Sequence, residues 1–108
     1  MDAILVYSIK VTVTVKGGKR ITVVMDLFKL SSAQSGYPEG YKFSWIAFDP
    51  KNPLERVLFD THPPKGPHLH LDDDPIGIPY AWVGLREAQE FFLAKVQEHF
   101  GEITEEDE

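Results

Sequence analysis

The sequence predicts an α+β fold, an antiparallel sheet of five to six strands with one C-terminal helix packed on one face. Three observations predict it. Apolar residues alternate with polar ones through much of the first half of the chain, the period of a half-buried strand. Clusters of Gly, Pro, Asn and Asp separate the alternating runs and supply the turns. Near the end, one apolar stripe switches to helical period. At 108 residues, 43% of them hydrophobic and 12% aromatic, the chain holds a single domain with enough apolar material for a core.

Each element has its own justification. The first strand sets Ile9, Val11, Val13 and Val15 on one face and Lys10, Thr12, Thr14 and Lys16 on the other. The second sets Ile21, Val23, Met25 and Leu27 on its apolar face. A two-residue Gly17-Gly18 turn would put these rows on opposite faces. A three-residue loop, Gly17-Gly18-Lys19, aligns them by pairing Val15 with Ile21, Val13 with Val23 and Val11 with Met25. Residues 31–40 form a polar loop. Strand three covers residues 41–49, with Tyr41, Phe43, Trp45 and Ala47 on the core face. The run Asp49-Pro50-Lys51-Asn52-Pro53 is a turn, since neither Pro can donate to a ladder. Strand four spans 56–62, a short fifth spans 68–72, and 78–83 supplies an extended sixth piece.

Residues 84–100 carry the helix. Leu85, Ala88, Phe92, Val96 and His99 fall on one stripe that Phe91 broadens, and Gly101 ends it. Residues 1–100 are therefore the domain. Residues 101–108 hold Glu102, Glu105, Glu106, Asp107 and Glu108 and read as a solvated, frayed acidic tail.

Composition excludes several classes of function. There is no cysteine, hence no disulfide scaffold, thiol nucleophile or thiolate zinc site. The net charge of −6 comes mostly from the tail, leaving a near-neutral body without the basic stripe that duplex DNA requires. Met1-Asp2-Ala3-Ile4-Leu5-Val6 has no basic leader region, and no apolar run approaches a membrane span, so a cytoplasmic protein without a membrane partner is expected. No Gly-x-Ser-x-Gly and no phosphate-binding glycine loop occur.

Chemistry concentrates between Phe59 and Asp72. His68, His70 and Asp72 share one strand face, Asp60 and His62 share another, and Leu69 and Leu71 point to the core. A five-residue connection over 63–67 sets His62 opposite His68, Asp60 opposite His70, and Leu58 opposite Asp72. Carried to strand three, the register brings Ser44 to Asp60 and Lys42 to His62. Histidine titrates nearest neutrality, so a pair of them suits the acid and base roles of phosphodiester cleavage, and a nearby Lys can stabilise negative charge. Alternatively, His62, His68, His70 and Asp72 could ligate a divalent metal. A third reading makes the histidines polar surface of a wet sheet face. His99 is read as structural.

The spacing Asp60-x-His62-Pro63 … Pro67-His68-Leu69-His70, followed by a C-terminal amphipathic helix, resembles the TumE-like family of short prokaryotic toxin–antitoxin proteins over roughly residues 41–100. The resemblance implies a growth-inhibiting protein acting on RNA and neutralised by a separate antitoxin, with Asp60, His62, His68 and His70 at the matching positions. Together these readings favour a ribonuclease needing no cofactor. His68 and His70 would be acid and base, His62 or Lys42 the phosphate contact, Ser44 a substrate contact, and Asp60 the residue that orients a histidine. The alternatives are a non-enzymatic interaction module that pairs through a sheet edge or the acidic tail, and a histidine-rich metal protein. An unpaired edge strand would also permit a homodimer.

Overall fold

The computed structural model describes residues 3–32 and 34–107; the first two residues of the expected leaderless start, Ala33 of the 31–40 loop and the tail's Glu108 lie outside them. The chain runs β1 (Ala3–Val15), β2 (Arg20–Leu30), a short 3-10 turn (Pro38–Gly40), β3 (Tyr41–Asp49), β4 (Asn52–His62), β5 (Gly66–Leu71), β6 (Ile78–Pro79), α1 (Leu85–Phe100) and β7 (Ile103–Asp107). One antiparallel sheet takes the order β6-β5-β4-β3-β2-β1-β7. The α+β class with a single C-terminal helix is the expected one, and its sheet has seven strands rather than five or six.

The extra strand is the acidic end. Expected to fray, it instead pairs with β1, Asp107 opposite Thr12 and Ile103 opposite Val15. Three contacts outweigh the repulsion of its carboxylates. Ile103 packs against the core, the Thr104 hydroxyl donates to the Thr14 carbonyl (3.1 Å), and Arg20 pairs with Asp107 (3.1 Å). The sixth element is shorter than expected, confined to Ile78–Pro79, with Pro79 opposite His68 and Ile78 opposite Leu69.

The first hairpin loop sits one residue earlier than expected, which shifts every pairing partner by two. Val13 faces Ile21 and Val11 faces Val23, so the loop is Lys16-Gly17-Gly18. The Gly18 N–H donates to the Val15 carbonyl, and Gly17 and Gly18 take φ of 102° and 92°, which side-chain-bearing residues rarely adopt. A shift of two leaves both faces as expected, since side-chain direction repeats every second residue.

Under the sheet, α1 buries Ala88, Phe92 and Val96 against Trp45, Phe59, Val57, Ile21 and Leu27. The rings of Phe43 and Trp45 stack at 4.3 Å, and Phe59 meets Phe91 edge-on at 5.2 Å. Burying each such ring contributes on the order of 2–3 kcal/mol. Among the described residues, no helix covers the opposite face. Half-buried Val24, Ile46, Leu58, Phe28 and Phe48 line it, interspersed with the polar residues described below.

Candidate active site

The second hairpin closes two residues earlier than expected. Pro63, Pro64 and Lys65 form its loop, with His62 opposite Gly66, Asp60 opposite His68, and Leu58 opposite His70. The expected pairs His62 with His68 and Asp60 with His70 are therefore corrected. The register still keeps Leu69 and Phe59 on the core side and both β5 histidines on the open face. Ser44 stands opposite Asp60, as the alternation predicts.

The ladder between β3 and β4 stops at that pair. One residue on, the Thr61 hydroxyl takes the place of backbone pairing, accepting from the Phe43 N–H (3.2 Å) and donating to the Phe43 carbonyl (3.3 Å). No direct pairing of Lys42 with His62 forms. The separation leaves a cavity of about 170 Å3 lined by Asp26, Phe28, Lys42, Ser44 and Asp60 among others. A second cavity, of about 110 Å3, is lined by Asp60, His62, Lys65, His68, His70, Pro75 and Ile76. Asp60 belongs to both. The structure thus brings Asp60, His62, His68 and His70 together and holds Lys42 and Ser44 next door.

Hydrogen bonds fix how the imidazoles are presented. His68 Nδ1 lies 3.0 Å from the Gly66 carbonyl, and His70 Nδ1 lies 3.1 Å from the Asp74 carbonyl. A carbonyl only accepts, so Nδ1 carries the proton in both rings, and in the neutral form Nε2 is the basic nitrogen. The ring centroids are 6.4 Å apart with planes inclined by 29°. His70 Nε2 lies 3.9 Å from Asp60 Oδ1, a diagonal cross-strand approach. That oxygen is buried and has no hydrogen-bond partner among the described residues. Burial raises the Asp60 carboxyl above its ordinary range, while His70, His62 and His68 act in the opposite direction.

The loop after β5 closes over His70. The Asp74 carboxylate accepts from the backbone N–H groups of Ile76 (3.0 Å) and Gly77 (3.3 Å), curling the chain above the ring. Gly77, at φ 76°, lies so close that a Cβ there would stand 2.7 Å from His70 Cε1. Only a residue without a side chain fits.

Asp72 does not join the histidines, contrary to the alternative metal reading of His62, His68, His70 and Asp72. Its φ of 55° breaks the strand alternation, and its carboxylate meets His99 Nε2 (2.9 Å) and the Arg56 N–H (3.2 Å). Among the described residues, no group of three or more His, Cys, Asp or Glu side chains is placed to hold a metal ion. His99 accordingly ties the end of α1 to the end of β5. Lys65, in the loop, and the pair Asp26 and Phe28, on β2, also line these cavities, and a reading of the histidines alone misses them.

Among the described residues no helix is long and apolar enough to cross a membrane. No protein-family model, curated protein or solved structure matches the chain.

Proposed function

We propose that this chain is a metal-independent endoribonuclease, acting as the toxin of a toxin–antitoxin pair. One observation carries the reading: His68 and His70 are each anchored through Nδ1 to a backbone carbonyl, present Nε2 as their reactive nitrogen, and line one cavity with the half-buried Asp60. Anchoring both rings removes the rotational freedom that would otherwise have to be lost in the transition state.

One imidazole, unprotonated, takes the proton of a ribose 2′-hydroxyl as its oxygen attacks phosphorus. The other, protonated, delivers its proton to the 5′-oxygen as the P–O5′ bond breaks. The products are a 2′,3′-cyclic phosphate and a free 5′-hydroxyl. Asp60, close to His70 Nε2, holds and steadies that ring when it is charged. His62 and Lys65, at the same cavity, offset charge on the phosphoryl oxygens, and Lys42 faces the flanking nucleotide. End-group analysis of the cleaved RNA tests this route. Cyclic phosphate ends are expected, and 3′-hydroxyl ends would contradict it.

The edge of β1 favours a second reading, a binding module. Beyond Thr12, where β7 stops, the described part of this edge is unpaired within the chain and exposes Ile4 (70%), Leu5, Val6 and Ile9. An antitoxin or a second copy could add a strand there. Protection of the Ile4 to Ile9 amides from hydrogen exchange on adding the partner supports that role; unchanged exchange contradicts it.

A further inference from the structure

We propose that Asp26 and Phe28 form a nucleobase subsite selective for guanine, one nucleotide away from the histidine pair; the proposal rests on the ribonuclease reading and names its substrate. The register places it. His68 is opposite Asp60, Asp60 opposite Ser44, Ser44 opposite Asp26, and Asp26 opposite Ser8. These five residues make one polar row across five strands of the open face. The leucine, isoleucine and valine of the next row, Leu58, Ile46 and Val24, border it on one side. Three strand spacings separate His68 from Asp26, about 14 Å at the backbone. A nucleotide with its phosphate at the histidines and its base turned toward β2 fills that gap.

The cavity on this path is built for a base. Phe28, half-buried and opposite Lys42, lines this cavity with an aromatic ring, the residue type on which bases stack, and stacking is the sequence-tolerant part of base binding. Asp26 supplies the discrimination. Ser8 Oγ donates to Asp26 Oδ1 at 2.6 Å and holds the carboxylate in place, with further acceptor capacity on both oxygens. An ionised carboxylate only accepts. Guanine alone presents two adjacent donors on its pairing edge, N1–H and the exocyclic N2 amine. Adenine and cytosine set one amine beside a ring acceptor, and uracil sets one N–H between two carbonyls. A carboxylate facing the latter three therefore meets an acceptor.

Binding of nucleoside 3′-monophosphates to the full-length chain, followed by backbone amide shifts, tests the subsite without requiring cleavage. Guanosine 3′-monophosphate is expected to bind at least about tenfold tighter than the adenosine, cytidine and uridine nucleotides, shifting the amides of Asp26, Phe28 and Ser44. Asp26→Asn should remove that preference by weakening guanosine binding, without weakening uridine binding, because the neutral amide no longer sets a charged acceptor against a uracil carbonyl. Ser8→Ala, which keeps the carboxylate but frees it, should reduce the preference in part. Equal affinity for the four nucleotides, absence of binding, or a guanosine preference untouched by Asp26→Asn would overturn the proposal. Selective guanosine binding by a chain that leaves all RNA intact would keep the subsite and overturn the cleavage reading. Cleavage without base preference would do the reverse.

Discussion

His70 Nε2 stands 3.9 Å from Asp60 Oδ1, a buried carboxylate oxygen with no hydrogen-bond partner among the described residues. The pair is close enough to couple electrically but too far apart for a hydrogen bond. An unsatisfied buried acceptor is costly to the fold.

That cost has a sign that pH reveals. Burial raises the Asp60 carboxyl in the folded state, so the folded chain holds this proton more tightly than the unfolded one. Its contribution to stability is most favourable below the ordinary carboxylate range. It is lost as pH rises through the raised value. Asp60→Asn should therefore stabilise the protein at neutral pH, with the advantage over wild type disappearing in acid. Urea unfolding at several pH values measures this, and a mutant that is less stable at neutral pH would contradict it.

Gly77→Ala should damage activity more than stability. The added methyl would meet the His70 ring at 2.7 Å and also occupy a positive φ. The strain costs about 1–2 kcal/mol. The ring must move or the loop must lift, and either change displaces Nε2. Circular dichroism should report an intact fold while RNA cleavage falls at least about tenfold.

Removal of the last six residues should destabilise the domain by roughly 2 kcal/mol. It takes away Ile103 from the core and the Thr104 and Asp107 contacts with β1 and Arg20. It also lays bare the rest of the β1 edge, so the truncated chain should self-associate more readily by light scattering. Unchanged melting and a monodisperse monomer would show the acidic end to be the frayed tail its composition suggests.

Phe59→Ala should cost about 3–5 kcal/mol, because the ring is fully buried among Phe43, Trp45, Tyr80 and Phe91. A calorimetric loss below 1 kcal/mol would contradict this packing.

What could be read from the sequence was face rather than distance. Alternation assigns Trp45 and Phe59 to the core and His68 and His70 to the open face, because side-chain direction has a period of two whatever the loop length. The closure points of the two hairpins depend on backbone conformation at Gly17, Gly18 and Gly66, which alternation does not encode. Each register accordingly moved by two residues, and the histidines changed partners while keeping their side of the sheet. Asp72 fails for a local reason, since a left-handed φ ends the alternation just where the metal set needed it. The acidic strand was hidden by its charge. Of its residues only Ile103 signals burial, and the partners that hold it lie some ninety positions away on β1. Asp26 and Phe28 become visible once β2 is aligned with β3, which sets Asp26 opposite Ser44 and hence in line with Asp60.

The most direct test of the histidine mechanism is a gel assay of tag-free protein on mixed-sequence RNA, with and without EDTA, beside His68→Ala and His70→Ala. Cleavage that survives EDTA and falls about 100-fold or more in folded single mutants is the predicted result. Cleavage abolished by EDTA would assign the cluster to a metal. RNA left intact at high excess of wild-type protein would contradict the ribonuclease account altogether.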